Sequence, residues 1–180
     1  DFPAMARDEM PVAFALSGSD LRRLIEKTRF AISVEETRYY LNGIYLHALD
    51  EDGTALLRAV ATDGHRLARV QITQPVGAAD MPAIIIPRKT VGEVHKLLEE
   101  AEGEVSVQVS DTKINFAFDN IVLTSKLIDG KFPDYTRVIP VDNDKVLGVD
   151  AKTFAQSVDR VSAISSEKSR AVKLSLDTDS

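Results

Sequence analysis

Apolar and polar positions change period several times along the chain, and each change marks an element. Pro11 to Leu16 (PVAFAL) is short and apolar, and Ser17-Gly18-Ser19-Asp20 then offers capping side chains before a helical period begins. Leu21, Leu24, Ile25, Thr28 and Ile32 fall on one side at helical spacing, while Arg22, Arg23, Lys27 and Arg29 lie opposite, diluted by Glu26. The pattern predicts an amphipathic helix with a locally positive outer face.

Three strand-like runs follow, Arg38 to Leu49, Ala55 to Ala61 and Arg66 to Thr73, separated at Asp52-Gly53 and Asp63-Gly64. Asp-Gly between such runs signals a hairpin, because tight turns need residues that tolerate positive φ. Gln74 to Met81 reads as a loop, and the order then repeats. A strand at Ala83 to Ile86 leads through Pro87 into a helix ending near Glu100, and strand runs follow near 104–110, 112–118 and 121–127. Residues 11–127 therefore predict two successive β-α-β-β-β units.

The second helix places Val91, Val94, Leu97 and Leu98 on its apolar side and Arg88, Lys89 and Lys96 on the other. Cations at a helix N-terminus oppose the helix dipole by roughly a few tenths of a kcal/mol, so Arg88 and Lys89 invite a functional reading. The plainer alternative is a solvated polar face.

A longer repeat is also present. Ala31-Ile32-Ser33-x-Glu35-x-x-Arg38 recurs 132 residues later as Ala163-Ile164-Ser165-x-Glu167-x-x-Arg170, and Phe2-Pro3 recurs as Phe132-Pro133, 130 residues on. Each longer copy follows an apolar helical pattern, Leu21/Ile25 in the first and Phe154/Val158 in the second. Two matches at nearly the same offset predict a repeating domain of roughly 130 residues. On this reading Val172 to Leu176 is a strand lacking its partners.

Composition narrows the function classes. The 180 residues are 44% hydrophobic and 28% charged, ordinary for a soluble chain, with a formal net charge of −6. That balance argues against a uniformly basic nucleic-acid binder but leaves room for a basic face. Its layout is uneven: residues 19–30 carry four Lys or Arg against two acids, residues 88–96 three against one, and residues 97–104 four acids and no base. With no cysteine there is no disulfide framework or thiol nucleophile, which fits a reducing, cytoplasmic compartment. No apolar stretch approaches a membrane span, and no signal-peptide order opens the sequence.

Catalytic constellations are hard to find. His47, His65 and His95 fall in a strand, a turn and a helix without metal-ligand spacing, and no nucleophile elbow or Gly-rich phosphate loop occurs. The rival reading is a small hydrolase using His65 and Asp63, although Asp63-Gly64-His65 is most simply a turn. Asp129 and Asp134 are likewise explained as turn formers beside Gly130 and Pro133.

Three words stand out: Arg38-Tyr39-Tyr40-Leu41-Asn42-Gly43, Thr62-Asp63-Gly64-His65-Arg66-Leu67, and Ser125-Lys126-Leu127-x-Asp129-Gly130-x-Phe132-Pro133-Asp134-Tyr135. At these words, in this order and spacing, the chain resembles the bacterial DNA polymerase III beta subunit family of replicative sliding clamps. The resemblance extends over essentially the whole sequence.

The resemblance implies an α+β architecture, the DNA-clamp fold, with two β-α-β-β-β units per domain and helices on one face of antiparallel sheets. It implies a tail of a first clamp domain at residues 1–9, a complete middle domain at 10–143 and the start of a third at 144–180. It also implies a noncatalytic processivity factor that needs no cofactor and works in the cytoplasm on the nucleoid, as a homodimeric ring around duplex DNA. Its partners would be DNA polymerase subunits, a clamp loader and repair proteins, with no membrane.

Two sites follow from that likeness. A sliding ring needs sequence-independent phosphate attraction, so Arg22, Arg23, Lys27, Arg29, Lys89 and Lys96 are the candidate DNA-facing cations. Glu35 is a departure, standing where some members carry an uncharged DNA-touching residue. The candidate pocket for a partner peptide, a Gln followed by apolar residues, comprises Leu41, Thr62, Gly64, His65, Arg66, Leu67, Pro133, Arg137 and Val138, with Arg38 and Tyr40 on its margin. Leu41, Leu67, Pro133 and Val138 would accept apolar anchors, Gly64 would admit a close backbone, and Arg66 or Arg137 would bind polar ends. Without the likeness these are ordinary hairpin and turn residues. The family completes the pocket with a C-terminal strand beyond this sequence, so this chain alone is expected to bind peptide weakly.

Overall fold

The computed structural model describes residues 9–99, 103–164 and 172–176. They divide into two compact units, Asp1–Pro133 and Asp134–Ser180.

In the first unit, strand β1 (Val12–Ser17) alternates buried Phe14 and Leu16 with exposed Ala13 and Ala15, the period-two pattern of a sheet with one covered face. Ser17 then caps helix α1 (Gly18–Glu26), its hydroxyl accepting the Asp20 N–H at 3.0 Å. Leu21, Leu24 and Ile25 turn inward, as their spacing predicts.

Strands β2 (Gly43–Glu51) and β3 (Thr54–Thr62) form the expected hairpin. Asp52 and Gly53 are both at positive φ, 52° and 79°, which a two-residue turn closing Glu51 on Thr54 requires. The second Asp-Gly pair behaves differently. Between β3 and β4 (Leu67–Thr73) lies a four-residue connection, 63–66, in which the Asp63 carboxylate accepts the His65 and Arg66 N–H groups at 3.0 Å each. Strand β5 (Ile84–Pro87), helix α2 (Arg88–Leu97) and strands β6 (Glu104–Val109), β7 (Lys113–Phe118) and β8 (Ile121–Lys126) complete the repeat.

The two β-α-β-β-β units exchange their first strands. One antiparallel sheet has the order β1-β6-β7-β8, the other β4-β3-β2-β5. Phe14 faces Val107 and Leu16 faces Val105, while Ile44 faces Ile86 and Leu46 faces Ile84. Each sheet therefore needs a strand from the other half of the sequence, and the halves share one core. In that core Leu21, Leu24 and Ile25 meet Val91, Val94 and Leu98 together with the inward side chains of both sheets.

Two expectations need correction. Arg38 to Leu41 does not open a strand: Glu36–Leu41 is a 3-10 helix broken at Arg38, and β2 starts at Gly43. Aromatic, strand-like composition is overridden here by local bonding, with Ser33 N–H donating to the Leu41 carbonyl and Asn42 N–H to that of Tyr39. Val172 to Leu176 likewise lies in no strand, since a strand exists only through ladder partners and the described residues provide it none.

The second sheet is covered on both faces. Residues 56–61 of β3 are buried without a break, including Arg58, which is 2% exposed. The segment after β8 supplies the outer cover: Phe132 stacks on Tyr45 with ring centroids 4.7 Å apart and planes within 1°, and the Ile128 N–H donates to the Ile85 carbonyl. Arg58 sits under this cover, its guanidinium donating to Glu51 Oε1 at 2.7 Å and to Gln71 Oε1 at 2.6 Å.

In the second unit, a 3-10 turn (Tyr135–Val138) precedes helix α3 (Ala151–Ser162), which is capped by the Asp150 carboxylate accepting the Thr153 N–H at 2.8 Å. The expected apolar side of α3 is present, and Phe154 and Val161 on it are exposed. Most of the second copy of the long repeat, from Ser165 onward, lies outside the described residues, as do Phe2 and Pro3 of the first Phe-Pro pair.

Candidate functional site

Helices α1 and α2 lie side by side, joined where His95 Nε2 sits 3.1 Å from Glu26 Oε1. The six candidate DNA-facing cations are all on these helices or just beyond α1, but they are not equivalent. Arg22 Nε donates to Glu26 Oε1 at 2.8 Å, and Lys96 Nζ to Glu93 Oε1 at 3.3 Å. Arg23, Lys27, Arg29 and Lys89 are exposed and make no ion pair among the described residues. Arg88, at the first position of α2, is exposed as well. Arg22 keeps its charge but holds it against a carboxylate, so it contributes less to an external phosphate field than its four unpaired neighbours.

Of the docking candidates, Thr62, Gly64, His65, Arg66 and Leu67 form or flank the 63–66 connection. Thr62 and Leu67 are directly paired across β3 and β4. The Thr62 hydroxyl donates to the Arg66 carbonyl at 2.7 Å and accepts the Gly64 N–H at 3.1 Å, closing the turn on itself. Gly64, at φ +88°, is in the left-handed region, and His65 and Arg66 are exposed beside it. Leu41 is only 4% exposed and so offers no open face. Pro133 is exposed at the end of the covering segment, and Gly130 in the same segment packs against Tyr39 and Tyr40. Arg137 and Val138 are exposed residues of the second unit.

The end of the Arg38 side chain lies beside Gly64. A Cβ placed on Gly64 would lie 2.6 Å from Nη1 of Arg38. Arg38 is in turn held by Glu35, with Nε donating to Oε2 at 2.8 Å. Sequence reasoning did not join Glu35 to the docking residues; its i, i+3 spacing to Arg38 was the one usable signal.

Asp63 shows why no hydrolytic pair forms. Slight burial pushes its carboxyl up, but bonds from the His65 and Arg66 N–H groups and the Arg66 guanidinium outweigh this and leave the pKa lowered to about 2. The carboxylate is spent on its own turn, accepting from the backbone of His65 and not from its ring. Among the described residues no group of three or more His, Asp or Glu could hold a metal ion, and no helix is long and apolar enough to cross a membrane.

Comparison with known proteins adds to this geometry. A family model for the central domain of the DNA polymerase III beta subunit matches residues 15–134, and the model for that subunit's C-terminal domain matches 136–180. The beta sliding clamp of Caulobacter vibrioides is 55% identical over 177 residues, covering 98% of this chain and 48% of its own length. That of Pseudomonas aeruginosa is 40% identical over 176 residues, covering 98% and 47%. The chain thus spans about half the length of the curated relatives it matches. Among solved structures, a Bartonella birtlesii sliding clamp bound to griselimycin matches with a TM-score of 0.88 at 53% identity, over 94% of this chain and 45% of that one. The Caulobacter crescentus clamp matches with a TM-score of 0.86 at 54% identity, over 92% and 45%.

Proposed function

Because the chain belongs to the DNA polymerase III beta subunit family, we propose that it is the central part of a noncatalytic clamp that encircles duplex DNA and tethers the replicative polymerase. The observation that carries this reading is the pair of adjacent helices with Arg23 and Lys89 on them and Lys27 and Arg29 just beyond α1, all exposed and in no ion pair among the described residues, on a chain whose net charge is −6. Cations concentrated on one helix layer attract phosphates wherever the ring stands, and no base contact is needed. The acid excess elsewhere repels DNA from the wrong side.

On this reading the domains run 1–9, 10–143 and 144–180, the full-length protein is a homodimeric ring, and an ATP-driven loader opens it. Partner peptides from polymerase subunits, the loader and repair proteins dock at Thr62, Gly64, His65, Arg66 and Leu67, with Leu41, Pro133, Arg38 and Tyr40 also assigned to the site. Arg137 and Val138 are assigned to docking by the family resemblance alone. A relative crystallised with griselimycin supports ligand binding by such clamps.

The deciding experiment loads a full-length clamp carrying this sequence onto nicked circular DNA and then linearises the circle. A ring held by topology runs off the ends, and retention unchanged by linearisation overturns the proposal.

A further inference from the structure

Glu35 and Arg38 form a two-point ion pair: Arg38 Nε meets Oε2 at 2.8 Å and Nη2 meets Oε1 at 2.5 Å. The loop that carries Glu35 is itself fixed, because the hydroxyl of Ser33, a residue 2% exposed, accepts the Glu35 N–H at 3.1 Å. The far side of the guanidinium fills the space beside Gly64, where any Cβ would collide with Nη1. Glu35 also lines one surface recess together with Asp63, His65 and Arg66 of the turn and with Arg29 and Arg88. The acidic loop, the cation and the turn are therefore one connected structure.

We propose that Glu35 is a specificity-determining residue of the docking face: by holding Arg38 against Gly64 it neutralises the cation at the pocket margin and disfavours partner peptides carrying a carboxylate there. This rests on the docking reading given above.

The chemistry is that of competition for one guanidinium. Arg38 offers a planar fork that matches a carboxylate, and Glu35 already occupies two of its donors. A peptide carboxylate aimed at the Arg38 fork must either displace Glu35 or sit beside its charge, and either costs affinity relative to a free Arg38. The Arg38 bonds, against a small opposing effect of burial, hold the Glu35 carboxyl below the ordinary carboxylate range, so it stays ionised at neutral pH. A peptide with a neutral residue at the same place meets no such penalty.

The test uses a full-length clamp carrying this sequence and two fluorescent peptides of the Gln-Leu-x-Leu-Phe type, one flanked by Asp and one by Asn. Glu35→Gln is expected to tighten the Asp peptide by roughly two- to fivefold relative to the Asn peptide, with a gain that fades as salt rises. The gain should shrink when Arg38 is already Gln, because no freed cation remains. Equal effects of Glu35→Gln on both peptides overturn the inference. Leu67→Ala serves as the control: if it leaves the Asn peptide's affinity unchanged, the docking reading fails and this inference fails with it. If Leu67→Ala weakens binding and Glu35→Gln shifts no selectivity, the inference about Glu35 alone is wrong.

Discussion

Nε2 of His95 lies 3.1 Å from Oε1 of Glu26, bridging α2 to α1 across the seam between them. His95 is 5% exposed, and its other ring nitrogen, Nδ1, stands 3.7 Å from Glu99 Oε1. Glu26 Oε1 also accepts from Arg22, so one carboxylate serves two donors from two directions. The bridge ties together the helices that carry, or lead into, the cations found in no ion pair among the described residues.

Glu26 gives the seam a pH dependence. Its carboxyl is held below the ordinary range chiefly by the Arg22 hydrogen bond and then by that from His95. A carboxyl lowered in this way stabilises the folded chain above its unfolded pKa and loses that contribution as pH falls through the lowered value. Glu26→Gln should therefore reduce Tm by a few degrees near neutral pH, and the difference from wild type should vanish under acid conditions. Thermal melts of both proteins across the acid range check this, and a deficit of constant size would show that ionisation of Glu26 is not what stabilises the seam.

Two glycines should respond in opposite senses to the same substitution. A Cβ at Gly43 would lie 2.2 Å from the Ile86 carbonyl oxygen and 2.9 Å from its carbon, both backbone atoms of the neighbouring β5. Gly43→Ala should then push β5 from β2 and cost about 2–3 kcal/mol. Gly92, inside α2, has open space around its Cβ position, so Gly92→Ala should stabilise by about 0.5–1 kcal/mol. Urea unfolding midpoints for the two variants, read at unchanged m, decide between these signs.

What could be read from the sequence was what rests on local period. The one-sided patterns of Leu21, Leu24 and Ile25 and of Val91 and Val94 became the buried faces of α1 and α2. Asp52-Gly53 became the tight turn that its residue types require. Non-local pairing left no local trace. The exchange that sets β1 beside β6 and β5 beside β2 joins residues 38 to 97 positions apart, with nothing in either strand to name its partner. The unbroken burial of β3 was visible as an apolar run around Arg58, but its cause, Phe132 lying on Tyr45, comes from far downstream. The site divides in the same way. Basic residue types at helical spacing identified the positive face, whereas the capture of Arg22 by Glu26 and Lys96 by Glu93 depends on side-chain geometry. Arg38 was placed on the pocket margin, but its approach to Gly64 is a matter of side-chain geometry, and the 3-10 helix that carries it was disguised as a strand by its aromatic neighbours.

That division among the cations carries the last prediction. In phosphate binding, each cation that displaces a condensed counterion adds about 0.9 to the slope of log K against log salt on duplex DNA. A cation already paired with a carboxylate on its own helix brings that partner's negative charge along, so the pair releases less than a free cation does. Replacing Arg23, Lys27, Arg29 and Lys89 by Gln, in a full-length clamp carrying this sequence, should flatten the salt dependence of DNA binding by close to 0.9 per residue that contacts phosphate. Replacing Arg22 and Lys96, which are bonded to Glu26 and Glu93, should change the slope much less per residue. Binding to short duplexes measured across a salt series separates the two groups. Equal slope changes from both sets would mean that the pairs open on contact with DNA, and an unchanged slope in the first set would remove these helices from the DNA interface altogether.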